Sequence, residues 1–119
     1  MKRIIIAVSL VTTLALTGLG FAQMEANYVK HVREARQHVT IAVTQGEKGD
    51  AKALVQHAQT GLEHVRMAQK AKSLPDLDKA AKSLEDAINQ GQTGDANKAT
   101  EQAKESVEYL DAVLSGLGG

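Results

Sequence analysis

Residues 42–51 read AVTQGEKGDA, and residues 87–96, which follow 45 positions later, read AINQGQTGDA. Six of the ten aligned pairs are identical. In both copies glycines interrupt a run of helix-forming residues, and an aspartate that can cap the next helix follows the second glycine. The repetition therefore predicts two copies of one helical hairpin, with these two segments as the turns.

Working outward from the turns, the sequence predicts four helices and no strands, because good helix formers predominate and apolar alternation of period two is absent. Asp50 and Asp95 are predicted N-caps, and Pro75 suits the first turn of the third helix. The predicted helices cover about residues 27–45, 51–71, 75–90 and 96–115.

Within each predicted helix the apolar residues recur at alternating steps of three and four, which is typical of one buried face. Short loops make neighbouring helices antiparallel. We therefore predict an all-α fold, an antiparallel up-down four-helix bundle made of two repeated hairpins, about residues 27–71 and 75–115. The predicted core is Tyr28, Val32, Ala35, Val39, Ala42, Val43, Leu54, Val55, Ala58, Leu62, Val65, Ala68, Leu77, Ala80, Ala81, Leu84, Ala87, Ile88, Ala99, Ala103, Val107, Leu110, Val113 and Leu114.

The N-terminal 22 residues have the pattern of an export signal. A basic start, Met1-Lys2-Arg3, precedes an uncharged apolar run over residues 4–19, and small residues stand at Gly20 and Ala22. We predict a signal peptide over residues 1–22, a mature domain over residues 23–119 and a periplasmic location. The alternative is an uncleaved membrane anchor, for which the apolar run is short of the roughly 20 residues that span a bilayer.

The composition excludes several functional classes. The 119 residues include no Cys, which removes disulfides, thiolate metal sites and cysteine nucleophiles. Fourteen basic residues balance 14 acidic ones, which argues against nucleic acid as a partner. No nucleophile–base pair or phosphate-binding loop stands out, so we do not expect an enzyme. Met24 and Met67 lie outside the apolar faces, which disfavours a haem-binding bundle. After the signal peptide no further segment is apolar and long enough to span a membrane, so we expect no membrane contact after cleavage.

All four histidines lie in the first hairpin, and their spacing is symmetric. Each of its two helices carries His-x6-His, as His31 and His38 and as His57 and His64. In an antiparallel hairpin with this turn, His38 is level with His57 and His31 is level with His64. The two levels are about 10.5 Å apart, seven residues at a rise of 1.5 Å.

These histidines flank the apolar faces of their helices. The direction in which the two helices of the hairpin pack decides whether the histidines lie between the helices or on the outside. With one hand all four line the seam between the two helices, where each level offers two imidazoles to a metal ion; with the other they lie on the outer flanks as ordinary surface residues. Glu34 lies on the same edge as His31 and His38 and is the candidate oxygen ligand. Such a ligand set suits Cu(II), Ni(II) or Zn(II), with Cu(II) favoured by the Irving–Williams order.

Four segments resemble the bacterial small metal-binding protein family: residues 38–51, 54–65, 83–91 and 103–110. The resemblance spans essentially the whole predicted mature chain. It implies a small periplasmic helical bundle that binds divalent metal ions, notably copper, through histidines at seven-residue spacing. His31, His38, His57 and His64 match that spacing.

The second hairpin departs from the family pattern. The positions 45 residues after the four histidines are Asp76, Ser83, Gln102 and Tyr109, so no imidazole remains there. The resemblance then implies one or two bound ions. The competing interpretation is an exported structural or protein-interaction bundle that has lost most metal binding, and the sequence names no protein partner for it.

Overall fold

The structure is a computed structural model that describes residues 27–117, which form four α-helices and, within that range, no strand. The predicted signal peptide and Met24 lie outside the described residues. The four helices are α1 over residues 27–47, α2 over Ala51–Ala71, α3 over Pro75–Gln92 and α4 over Ala96–Leu117.

Helix α2 has the predicted bounds, whereas α1, α3 and α4 each end two residues later than predicted. For α1 and α3 the reason lies in the turn glycines. Gly46 and Gly91 were expected to stop their helices, but both are buried inside the last helical turn. The chain leaves the helix at Gly49 and Gly94, whose φ angles of 83° and 90° are readily adopted only by glycine.

The two turns share the hydrogen bonds that lead into the next helix. Asp50 donates its N–H to the Gln45 carbonyl, and Asp95 donates its N–H to the Gln90 carbonyl, both at 3.0 Å. Each aspartate carboxylate accepts a hydrogen bond from the backbone N–H three residues later, at 2.9 and 3.0 Å respectively. The predicted caps are therefore present, and the sequence repeat has a matching backbone geometry at both turns.

Contacts between neighbouring helices run in opposite chain directions, as the prediction of an up-down bundle requires. On each interface, a residue further along one helix contacts a residue earlier in its neighbour. The contacting pairs are His31–His64 and His38–His57 between α1 and α2, Arg66–Glu85 and Gln69–Asp78 between α2 and α3, Ala80–Ser106 and Lys79–Tyr109 between α3 and α4, and Arg36–Asp111 and Glu47–Lys104 between α1 and α4.

The core lies along the bundle axis and consists of the predicted apolar faces, which confirms the helical patterning. Three predicted core residues, Val43, Val107 and Leu114, are only partly buried and pack at its margin. Ser106 was not predicted to be buried. It lies within the core and donates its hydroxyl to the Ala80 carbonyl at 3.3 Å, which satisfies the hydroxyl away from water.

None of the helices described is long and apolar enough to cross a bilayer.

Candidate metal centre

The four histidines line the interface between α1 and α2, so the packing hand left open by the sequence is the one that places them in the seam. All four side chains are half-buried, as expected for residues flanking an apolar face. The predicted levels are also present: His31 lies beside His64, with ring centroids 5.4 Å apart, and His38 lies beside His57 at 6.0 Å.

The two levels are not isolated from each other, which the sequence analysis did not anticipate. The rings of His38 and His64 are nearly parallel, at 8°, with centroids 5.7 Å apart. Helical side chains lean toward the N-terminus of their own helix. Since α1 and α2 are antiparallel, His38 and His64 lean toward each other, and the four rings form one continuous row in the order His57, His38, His64, His31.

Gly61 allows the two helices to approach at the level of the histidines. A Cβ atom at this position would lie 2.7 Å from Val39 Cγ2, 3.4 Å from the Ala35 carbonyl oxygen and 3.8 Å from His38 Cβ. Any larger residue would push α1 away from α2. The sequence analysis missed this role, although an isolated glycine inside a strong helical pattern is a signal of close packing.

Three side chains of the seam bring their ligand atoms together. His64 Nδ1 lies 3.1 Å from His31 Nδ1 and 3.2 Å from Glu34 Oε2, and each of the three residues has a ligand atom within 4.8 Å of the other two. Within residues 27–117 this is the one group of three or more His, Asp or Glu side chains with ligand atoms so close. We call His31, Glu34 and His64 the metal centre.

The spacing of these atoms matches two ligands on one transition-metal ion. Imidazole nitrogens bind Zn(II) at about 2.0–2.1 Å, and similar lengths apply to carboxylate oxygens. Two donor atoms 3.1–3.2 Å apart then subtend roughly 100° at the ion, between the cis angle of a square-planar site and the tetrahedral angle. The arrangement can therefore hold an ion without a large movement of either helix.

Burial at the metal centre favours a neutral His64, which is the form that binds metal. Burial lowers the pKa of His64 below its ordinary value, and the neighbouring His31 and His38 act in the same direction. The carboxylates of Glu34 and Glu63 oppose this shift, but burial has the largest effect. At neutral pH the His64 imidazole is therefore uncharged and available as a ligand.

Glu34 has a charged neighbour that the sequence analysis did not single out. Lys30, one turn earlier on α1, places its ammonium 3.9 Å from Glu34 Oε1, while Oε2 faces His64. The Glu34 side chain is 32% exposed and that of Lys30 68%. One carboxylate oxygen thus faces the lysine, and the other faces His64.

His38 and His57, also predicted as ligands, lie next to the metal centre but outside it. They form no group of three with a carboxylate among the described residues. The Nδ1 atom of His38 is buried and has no hydrogen-bond partner in the described part of the chain. A buried ring nitrogen without a partner is uncommon. The pair therefore offers two imidazoles beside the metal centre, without the oxygen ligand that Glu34 provides there.

Comparison with known proteins agrees with this geometry. Residues 1–113 match the family described as Small metal-binding protein. No protein of curated function matches the chain. The family match extends over almost the entire sequence, including α1 to α3, most of α4 and the metal centre between the first two helices. The chain therefore belongs to the small metal-binding protein family.

Proposed function

We propose that the protein binds a divalent transition-metal ion, Cu(II) in preference to Ni(II) or Zn(II), at the metal centre, and that it buffers or carries this ion in the periplasm. The observation that carries the proposal is the convergence of His31 Nδ1, His64 Nδ1 and a Glu34 oxygen from two helices. Membership of a metal-binding family supports the same function.

The donor set supports the choice of metal. Two imidazole nitrogens and one carboxylate oxygen form a borderline to hard set without sulfur, which suits Cu(II), Ni(II) and Zn(II) and leaves a fourth position for water. Among these ions the Irving–Williams order gives Cu(II) the highest affinity for a given nitrogen and oxygen site. The angle of roughly 100° inferred above lies midway between the tetragonal geometry of Cu(II) and a regular tetrahedron, so the preference for Cu(II) rests on this order.

A binding role, without catalysis, fits the position of the site. The metal centre lies on the seam between two helices, and its side chains remain in contact with solvent, with Glu34 32% and His64 20% exposed. An ion can therefore enter and leave directly.

The periplasmic location rests on residues 1–22, whose basic start, apolar run and small residues near Gln23 are those of an export signal. We expect cells that export the protein to contain a chain that begins at Gln23. Intact-mass measurement on the periplasmic fraction tests this. A mass that includes residues 1–22, recovered with the membranes, would contradict it and indicate an anchor.

Thermal unfolding with and without one equivalent of Cu(II), Ni(II) or Zn(II) tests the metal-binding function. A ligand that binds only the folded chain stabilises it by about 2.7 kcal/mol when its free concentration is 100 times Kd. For a domain of this size that stabilisation raises Tm by roughly 10–20 °C. We expect the largest shift with Cu(II) and its reversal by a chelator.

Two variants make this experiment specific. Replacing both His31 and His64 with Ala should abolish the shift, whereas His57→Ala, which removes an imidazole outside the metal centre, should preserve most of it. The absence of a shift with any of the three ions would contradict metal binding and favour the structural or protein-interaction function.

A further inference from the structure

The ring of His38 contacts the metal centre without belonging to it. It lies nearly parallel to the His64 ring, at an interplanar angle of 8° and a centroid distance of 5.7 Å. Offset parallel rings at such a distance attract each other, so each ring restricts the plane of the other. His57 stacks on His38 at 6.0 Å and 21°, and among the described residues it has no ring contact with His64.

The metal centre depends on the orientation of the His64 ring. Rotation about the Cβ–Cγ bond of a histidine has a broad, roughly two-fold preference, so the side chain alone does not fix the direction of Nδ1. In this structure His64 Nδ1 faces both His31 Nδ1, at 3.1 Å, and Glu34 Oε2, at 3.2 Å. A turn of the ring out of this plane would take Nδ1 away from both of them.

His38 offers the metal centre its ring face and not a ligand atom. It does not belong to the group of close ligand atoms formed by His31, Glu34 and His64. Its Nδ1 atom is buried and has no hydrogen-bond partner in the described part of the chain. Because this nitrogen is closed off from solvent, an ion reaches it only if the ring leaves its stacked position.

We propose that His38 is a positioning residue of the metal centre, whose ring face holds the His64 ring in the plane in which Nδ1 can bind the ion. This inference rests on the proposed function of the metal centre. It gives the two remaining histidines different roles, because His38 acts on the ion through His64, whereas His57 has its ring contact with His38.

The test separates the ring of His38 from its nitrogen atoms. His38→Phe keeps a flat ring that can stack on His64 and removes both nitrogens, whereas His38→Ala removes the ring as well. His57→Ala is the matched control, because His57 is also half-buried in the seam but is not stacked on His64. Each variant is titrated with Cu(II) by calorimetry at pH 7.5 and compared with the wild-type chain.

We expect His38→Ala to weaken Cu(II) binding on the order of tenfold, since partners that orient a metal ligand are worth about 10–100-fold in affinity. His38→Phe should bind within roughly threefold of the wild type, because a stacked aromatic ring is retained. His57→Ala should bind as the wild type does. Equal losses in His38→Ala and His38→Phe would overturn the proposal, as would wild-type affinity in His38→Ala.

A second measurement identifies the His64 nitrogen that binds the ion. In the Zn(II)-bound protein with histidine labelled with ¹⁵N, nuclear magnetic resonance distinguishes a bound Nδ1 from a bound Nε2. We expect only Nδ1 of His64 to be bound in the wild type and in His38→Phe, and a mixture of the two in His38→Ala, whose His64 ring is free to turn. A general loss of stability would weaken binding without changing the bound nitrogen. Binding through Nδ1 alone in His38→Ala would therefore contradict the proposal.

Two controls keep the result interpretable. Circular dichroism must show wild-type helix content for each variant; if His38→Ala fails this check, His38→Leu, which fills the space without a flat ring, replaces it with the same expected results. The wild-type titration stands alone as the test of the proposed function. A wild-type chain that binds no Cu(II) contradicts that function, whereas a binding wild type with unchanged affinity in His38→Ala contradicts only the inference about His38.

Discussion

At the scale of single residues, His64 is the side chain on which the metal centre depends most. Its Nδ1 atom faces both His31 and Glu34, and its ring stacks on His38. His31 and Glu34 come from α1, one turn apart, so a single helix could present both. His64 alone comes from α2, and it converts a pair of neighbouring side chains into a site that joins two helices.

We predict that His31→Ala and His64→Ala each weaken Cu(II) binding by at least about 100-fold, since even partners outside the ligand set are worth 10–100-fold in metal sites. The double variant should lose little beyond either single variant, because both residues act on one ion. Calorimetric titration of the three variants measures this coupling. Additive, independent losses would mean that the two imidazoles do not share an ion.

The pair His38 and His57 provides the matched comparison. These residues have the same spacing and the same half-burial, but no carboxylate completes a group of three with them. We expect His57→Ala to change the affinity of the metal centre little. A loss as large as that of His64→Ala would place the ion at the other end of the row of rings.

We predict that metal affinity is high near pH 7.5 and falls steeply in more acidic solution, because protons compete for the imidazole nitrogens, which in a free histidine titrate near pH 6.5. Burial lowers the pKa of His64, so this residue remains a ligand at a somewhat lower pH than an ordinary histidine. Titration with Cu(II) at pH 7.5 and 5.0 tests this. Undiminished affinity at pH 5.0 would indicate a carboxylate site instead.

The same pKa shift has a consequence for the metal-free protein. Since the pKa of His64 is lower in the folded chain, the unfolded chain takes up its proton first as the pH falls below about 6.5. The free energy of unfolding therefore has its full contribution from the neutral His64 above that pH. As the pH falls further, the folded state loses stability until the folded chain also takes up the proton. Urea unfolding of His64→Ala should lack this part of the pH dependence.

At the scale of elements, the close contact between α1 and α2 is what brings His31 to His64. Gly61 permits that contact, with Val39 and the Ala35 carbonyl where a larger side chain would lie. Helices in the rest of the bundle approach across alanine-rich faces in a similar way. The metal centre therefore lies where a glycine lets the two helices of the first hairpin come close together.

We predict that Gly61→Ala destabilises the fold by about 1–3 kcal/mol through overpacking and also weakens metal binding, because α1 must move away from α2. Gly49→Ala is the matched control. It places an alanine at a φ of 83° in open space, which costs roughly 1–2 kcal/mol but leaves the seam intact. Chemical unfolding and Cu(II) titration of both variants separate the two effects. Unchanged metal affinity in Gly61→Ala would show that the site tolerates the displacement.

Most of the element structure could be predicted from the sequence because it depends on local patterns. The caps at Asp50 and Asp95 and the apolar faces need only neighbouring residues, and the structure contains them. The late ends of α1 and α3 were missed because Gly46 and Gly91 pack inside the bundle. Gly46 has no Cβ atom, which leaves room for Thr100 of α4. The residues next to Gly46 in the sequence give no sign of this contact.

The location of the histidines could be predicted only in part. Their pairing by level follows from the turn, and His31–His64 and His38–His57 are the observed neighbours. Whether the pairs face the seam or the flanks depends on the packing hand, which all four helix interfaces decide together. The stacking of His38 on His64 follows from the tilt of helical side chains toward the N-terminus of their helix, which the helix assignment alone implies.

At the scale of the whole molecule, the two hairpins contribute differently to one bundle. The first holds the metal centre. The second packs against the first, and two exposed ion pairs link α4 to α1, between Arg36 and Asp111 and between Glu47 and Lys104. An ion bound between α1 and α2 joins two helices that are already neighbours, so binding stabilises the fold without a change of topology.

The coordination of Cu(II) by His31, His64 and Glu34 is tested most directly by pulsed electron paramagnetic resonance on the protein with one equivalent of Cu(II). We predict the signature of two coordinated imidazoles in the wild type and of one in His31→Ala or His64→Ala, with His57→Ala indistinguishable from the wild type. A spectrum without imidazole coordination, or one that neither His31→Ala nor His64→Ala alters, would contradict the assignment of the metal centre.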